Sequence, residues 1–435
     1  MHRRIVAAAA VALTGVLALS ACSSSGSGSD AKAASGPVTL NFWSWAPNMD
    51  KVAAVWNASH PDIQINVLKQ AGGDDLVTKV ITAAKAGNAP DLIQTEYQAL
   101  PTLVSNDVLA DVAKQAGSVK DRFADGVWKQ VTLGTDAVYA IPQDSAPLAF
   151  YYRQDLFQQY GLKVPTTWAE FADAAHQLKA KDPAKSLTTF SSNDSGLFAG
   201  LAQQAGAKWW TSSGDTWKVA IDDTATKKVA DFWGGLVKDG SVDNQPMYTP
   251  AWSKALNEGT QIAWVSAVWA PGVLESSAPD TKGKWAMAPL PQWNAGENAT
   301  GSWGGSSTGI TTGAVKAGHA DAAAKFATWL NTDPAAVAAL VKEVNIYPAA
   351  TAAQATLTTA PAFFPNQADF YAKAAEIAKG TAPAAWGPNV NVAYSAFKDA
   401  FGQASQAKSD FAPALTAMQT ATVDDMKKNG FKLAG

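Results

Sequence analysis

Val38-Thr39-Leu40-Asn41-Phe42 and Ile63-Gln64-Ile65-Asn66-Val67 alternate apolar with polar residues, and Leu92-Ile93 follows Pro90-Asp91 as a shorter apolar run. Alternation of this kind buries every second side chain and predicts strands. Between the first two runs, Val52, Val55, Trp56 and Ser59 share one helical face until His60-Pro61-Asp62 stops it. Between the second and third, Leu76, Val77, Val80, Ile81 and Ala84 form a stripe that ends at Gly87. Strand, helix, strand, helix, strand predicts a parallel α/β sheet with right-handed crossovers. Ligands of such sheets sit beyond the carboxyl ends of the strands. Those ends carry Trp43-Ser44-Trp45 and Glu96-Tyr97-Gln98, so aromatic and polar side chains gather where a ligand is expected.

The C-terminal half reads as richer in helix. Thr167-Trp168-Ala169-Glu170 has capping-box spacing, Asp333-Pro334 pairs an N-cap with a proline at the first helical position, and Ala368 to Lys379 forms an amphipathic helix closed by Gly380. No repeat and no second low-complexity linker interrupts the chain, which implies that it crosses between its lobes more than once.

Upstream of the first strand, Arg3-Arg4 precede an apolar run from Ile5 to Leu19, followed by Ser20-Ala21-Cys22. A basic start, a short apolar core and small residues before a processing point describe an export signal. The core is about 15 residues, below the ~18 of a spanning helix. The Leu-small-small-Cys arrangement resembles the lipobox of bacterial lipoproteins. That resemblance implies removal of residues 1–21, lipidation of Cys22, and a mature chain anchored to the extracellular face of the cell membrane. Residues 22–36, almost all Ser, Gly and Ala after the cysteine, read as a tether of roughly 20 Å root-mean-square reach.

Composition bounds the rest. Without the leader about 410 residues remain, enough for two lobes, and 47% apolar against 16% charged residues supplies a core. Loss of Arg3 and Arg4 takes the formal net charge from -3 to about -5, which gives no electrostatic case for nucleic acid or anionic lipid. Cys22 is the only cysteine, so no intrachain disulfide and no thiolate metal cluster can form. His60, His176 and His319 stand apart, and no metal or other cofactor is expected.

Tryptophan is abundant, 17 in all, and five stand at strand ends or beside Gly and Pro: Trp43, Trp45, Trp269, Trp303 and Trp386. Trp56, Trp233 and Trp329 read as core instead. Loop tryptophans lie where function is usually carried, and a wide apolar face with one N–H donor suits the C–H faces of a sugar ring.

The lipobox, the Trp-rich first strand end, Gly87-Asn88-Ala89-Pro90-Asp91-Leu92, Tyr139-Ala140-Ile141-Pro142-Gln143-Asp144 and Trp303-Gly304-Gly305-Ser306 together resemble the family 1 extracellular solute-binding proteins. These are the sugar-binding lipoproteins of bacterial ABC importers. The resemblance runs from about Val38 to the end of the chain. It implies a periplasmic-binding-protein fold of two α/β lobes, joined by three crossovers near Gln143 to Ala149, Trp303 to Ser306 and Asn345 to Ala349. The N-terminal lobe is then 37–143 plus 304–346, and the C-terminal lobe 144–303 plus 347–435. An oligosaccharide would lie between them, lined by Trp43, Trp45, Glu96, Tyr97, Asp144, Asn193, Asp194, Trp269, Trp303, Gly304, Gly305, Ser306 and Trp386. The partners implied are the permease subunits of the importer and the membrane through Cys22, with the protein itself a monomer. Gln143-Asp144-Ser145-Ala146 lacks the glutamate that maltose binders place shortly after the proline, so maltodextrin is not the expected ligand.

Two other classes stay open at this stage. A glycoside hydrolase would use two carboxylates across a sugar cleft, and Glu96 with Asp144 is the pair such a reading selects. No Gly-x4-Gly-Lys-Ser/Thr loop and no Gly-x-Ser-x-Gly elbow supports other chemistry. A binding protein for a non-sugar solute is the second alternative, and the loop tryptophans weigh against it.

Overall fold

β1 (Val38–Ser44) runs parallel to β2 (Ile63–Lys69) on one side and to β3 (Leu92–Glu96) on the other, as the alternation implies. The computed structural model describes residues 37–382 and 384–434; the leader, Cys22 and the tether lie outside the described residues. The sheet is mixed rather than wholly parallel. Beyond β3 comes β10 (Ser306–Ile310), antiparallel to it, and then β4 (Ala140–Pro142). A strand arriving from the other end of the molecule needs no helical crossover, so it enters in the opposite sense.

The helix Met49–Ser59 buries Met49, Val52, Ala53 and Trp56, while Val55 is 43% exposed and Ser59 faces water. The expected face is therefore corrected: the stripe begins at Met49, one turn earlier than the sequence reading placed it, and this rotates Val55 outward. The helix Asp74–Lys85 buries Leu76, Val77 and Val80 as expected.

A second sheet sets β5 (Leu148–Arg153) between β8 (Ala263–Ala267) and β9 (Trp285–Pro289), all antiparallel. The hairpin of β6 (Trp210–Ser213) and β7 (Thr216–Val219) is extended by the C-terminal β11 (Lys432–Leu433). Thr167 caps the helix Trp168–Lys181 by accepting from the backbone N–H of Glu170 at 3.2 Å. Asp333 caps Pro334–Val344, and Gly380 ends Phe370–Lys379. Among the described residues, no helix is long and apolar enough to cross a membrane.

The apolar side chains form two separate cores. One gathers residues from Leu40 to Ile141 and from Ile310 to Ala350; the other gathers Ala146 to Trp303 and, with Tyr347, Phe363 to Met426. Seven tryptophans (Trp56, Trp168, Trp210, Trp233, Trp252, Trp264 and Trp285) are among the largest fully buried side chains, so much of the tryptophan content is structural. Trp329 is partly buried, with its ring 5.2 Å from that of Trp56.

Three segments pass between the cores, and they hydrogen-bond to one another. Gln143 N–H donates to Ser306 O (2.8 Å), Ser145 N–H to Tyr347 O (2.8 Å), Ala349 N–H to Gln143 O (3.0 Å) and Trp303 N–H to Ala146 O (3.0 Å). Close packing supports them from the second lobe. A methyl group on Gly200 would come within 2.7 Å of Ser302 O, and one on Gly196 within 2.9 Å of Trp303 Cδ1. The helix Ser195–Gln204 thus presents a small-residue face to the crossing chain.

Candidate functional site

A cavity of about 470 Å³ opens between the two cores, beyond the ends of β1 and β3. From the first lobe it receives Trp45, Gln94 and Glu96; from the second, Asp194, Tyr248 and Trp269; from the crossing segments, Asp144, Trp303, Gly304, Gly305 and Ser306. Asn345 closes one side at the C-terminus of Pro334–Val344, in the left-handed region with φ 59°.

A buried hydrogen-bond chain fixes the floor. Ser44 Oγ donates to Gln94 Oε1 (2.7 Å), Gln94 Nε2 donates to Ser306 Oγ (3.2 Å), and Ser306 Oγ in turn donates to Asp144 Oδ1. Ser306 N–H reaches the same oxygen at 2.7 Å. Burial pushes the Asp144 carboxyl up, and the Ser306 bonds oppose that shift. Gly304 and Gly305 sit at φ 78° and 84°, backbone that a side chain would strain, and a methyl on Gly305 would strike the Tyr97 ring at 2.8 Å.

Carboxylates face each other from opposite lobes. Burial, then the nearby Asp74, Asp194 and Asp144, pushes Glu96 up to about 8, with Lys398 opposing. Asp194 is raised to about 7 by burial against the pull of the Leu197 N–H, the Trp303 indole and Lys398. Asp194 also caps the helix Ser195–Gln204, accepting from Leu197 N–H at 3.2 Å, which fixes its position. Across them stand two indoles in edge-to-face contact: the Trp269 and Trp303 centroids are 4.8 Å apart, and Trp269 Nε1 donates to Trp303 O at 3.0 Å.

Four of the expected residues lie elsewhere. Trp43 does not line this cavity; it is still part of β1, with Lys79 Nζ 5.1 Å from its ring, whereas Trp45 lies past the strand's end at Ser44. Tyr97 is 3% exposed, donates to Asp144 O at 2.9 Å, and borders a second cavity of about 430 Å³ with Ser145 and Pro147. Asn193 is exposed and spends its amide on Met247 O at 3.0 Å. Trp386 packs on the second core against Tyr394, and its neighbour Gly387 is a packing glycine whose missing side chain makes room for Trp210.

The sequence reading missed Tyr248, Gln94 and Asn345. Tyr248 is 48% exposed with φ 63°, and its ring meets Trp252 at 5.4 Å and Trp303 at 6.5 Å. Its signal was present: an aromatic just ahead of Thr249-Pro250, which cap and open the next helix. A scan of loops for tryptophan alone passes over it.

The sequence pattern of the bacterial extracellular solute-binding proteins matches residues 43–337. The lactose-binding protein of Rhizobium radiobacter is 29% identical over 297 residues, 62% of this chain and 65% of that protein, so the match spans a little under two thirds of the relative's length. The galacto-N-biose-/lacto-N-biose I-binding protein of the Bifidobacterium longum ABC transporter, solved with lacto-N-biose, superposes with a TM-score of 0.83 at 27% identity, covering 92% of this chain and 99% of that one. A binding protein of B. animalis subsp. lactis, solved with β-1,6-galactobiose, gives 0.82 at 25% identity, covering 92% and 100%. A two-lobed fold with a cleft at the ends of β1 and β3, matched by the family's pattern over most of its length, identifies this chain as a member of the bacterial extracellular solute-binding proteins.

Proposed function

We propose that the protein is the substrate-binding lipoprotein of a carbohydrate ABC importer, and that it captures a galactose-containing oligosaccharide between its lobes. The observation that carries this reading is the pairing of Trp45 on one lobe with Trp269 and Trp303 on the other, around carboxylates that accept hydrogen bonds. Indole faces match the C–H faces of a pyranose, and carboxylates make strong charge-assisted bonds to its hydroxyls. Three of the similar proteins are named for, or were solved with, lactose, lacto-N-biose or galactobiose, each built on galactose.

A ligand touching both lobes binds the closed form better than the open one and shifts the population toward it. Tenfold selectivity for the closed form requires about 1.4 kcal/mol of differential contact. The permease would then recognise the closed lobes. In this reading no bond of the sugar breaks. The lobes are 37–143 with 304–346 and 144–303 with 347–435. Asn193, Tyr97, Trp43 and Trp386 act from outside the first contact layer. Cys22 carries the lipid, residues 22–36 are the tether, and the protein works as a monomer on the outer face of the cell membrane.

Titration calorimetry with lactose, lacto-N-biose and β-1,6-galactobiose, followed by chromatography of the recovered sugar, tests this. Saturable micromolar or tighter binding of one or more, near -8 kcal/mol, with the sugar intact, is the expected result. Released monosaccharide would favour the hydrolase, and no binding across a wider disaccharide panel would overturn the sugar reading.

A further inference from the structure

The charge of the cleft is one-sided. Glu96, Asp144 and Asp194 line it, and among the described residues neither lysine nor arginine does. The neighbouring helices do not redress this. The start of Asp74–Lys85 adds a fourth acid, Asp74, while Val390–Ala407 brings the single cation, Lys398, already paired with Asp74 at 3.4 Å. Tyr97 and Tyr394 are held neutral by burial. Of the helix ends at the cavity, the N-termini of Ser195–Gln204 and Ala270–Ser277 bring partial positive charge and the C-terminus of Pro334–Val344 partial negative, fractions of a charge set against three carboxyl groups.

We propose that the solute carries a protonated amine, as a hexosamine unit with a free amino group does, and that the ammonium sits among Glu96, Asp144 and Asp194. The inference rests on the sugar-binding reading and narrows its substrate class. Asp144 is 8% exposed; Ser306 satisfies its Oδ1, and no other residue of those described donates to the carboxylate. Glu96 is held through Oε2 by Gln98 Nε2 at 2.7 Å, which leaves Oε1 on the side of Gly304. Ionised carboxylates only accept, and an ammonium only donates, with three N–H groups to distribute among them. Buried charge is costly without a partner of opposite sign. Without such a partner, burial favours the protonated forms of Glu96 and Asp194. An arriving ammonium replaces those protons, which pass to the buffer. Tyr248 and Trp269 line the same cavity, where an aromatic ring would add cation–π attraction that a neutral sugar does not receive.

The test is calorimetry at pH 7 on the purified protein with matched disaccharides: lactose, its analogue with a free 2-amino group, and the N-acetylated form of that analogue, alongside a wider set of amino disaccharides. At least one free amine should bind tenfold or more tighter than its hydroxyl and N-acetyl counterparts. Its binding should weaken as salt rises, and heats measured in buffers of different ionisation enthalpy should reveal proton release. Glu96→Gln and Asp194→Asn, checked for folding by circular dichroism, should each shrink the preference. Asn can still cap the helix. If lactose or the N-acetyl form binds as tightly as every amine, the inference is overturned and the sugar reading stands. If no sugar binds, both fall.

Discussion

Lys398 Nζ lies 3.4 Å from Asp74 Oδ2, an ion pair that joins a helix of one lobe to a helix of the other. Close by, Thr102 Oγ1 donates to Pro388 O at 2.9 Å, a buried bond between the same two bodies. One exposed charge pair and one neutral hydrogen bond thus add to the contacts of the crossing segments in holding the lobes together in this state. Both side chains of the ion pair are more than two-fifths exposed, so it contributes at most about 1 kcal/mol. Lys398→Ala should weaken solute binding several-fold at low salt, and the difference from wild type should fade in high salt. Small-angle scattering should show the unliganded variant more expanded. Equal affinity and equal dimensions at low salt would remove the pair from any role in closure.

Trp45→Ala should cost tenfold or more in affinity with little change in melting temperature, because Trp45 lines the cleft and is only partly buried. Trp43→Ala should leave affinity within about twofold, since that ring packs beneath Lys79 outside the cleft. Paired titrations on the two variants would read this directly, and the reverse ordering would move the site to the surface around Trp43 and Lys79.

Gly196→Ala places a methyl 2.9 Å from Trp303 Cδ1. Overpacking of this kind typically costs about 1–3 kcal/mol, so a thermal melt should shift down by several degrees. Because Trp303 also meets Trp269 edge to face, affinity should fall as well. A variant with unchanged stability and affinity would mean that the crossing segment yields freely.

The raised carboxyls set a direction for pH. Glu96 titrates near 8 when folded, far above an unfolded glutamate, so the folded state holds more protons through the interval between the two values. Its contribution is fully present below the unfolded value and is lost as pH rises through about 8. The unliganded protein should therefore melt at lower temperature at pH 8 than at pH 5.5, and Glu96→Gln should flatten part of that slope. A melt series across this range on both proteins decides it; parallel curves would assign the slope to other groups.

Cys22→Ser should release the protein from the cell membrane into the medium while leaving solute affinity unchanged. Fractionation of cells expressing each form reads this, and a serine variant that stays with the membrane would overturn lipid anchoring.

The first three strands and their helices were legible because period-two and helical stripes differ sharply in Val38–Ile93. The entry of β10 between β3 and β4 was not, since nothing local to Ser306–Ile310 records which distant strand it meets. For the cleft, Trp45, Glu96 and Asp194 could be read from strand ends and a loop, whereas Trp43 could not be told from Trp45 without knowing that β1 ends at Ser44, between them. Trp386 lies off this cavity: glycine beside tryptophan signals an open loop or a tight contact equally well, and here Gly387 serves contact with Trp210. Tyr248 was hidden because its exposure depends on a left-handed turn at that residue, which tyrosine does not advertise.

The crossing segments around Gln143, Ser306 and Tyr347 are hydrogen-bonded side by side instead of running as separate strings. A ribbon of this kind bends readily about one axis but resists sliding and splaying. In the proposed closure, the lobes would then move along a single mechanical coordinate. A permease would need to measure only one angle to know whether the cargo is aboard.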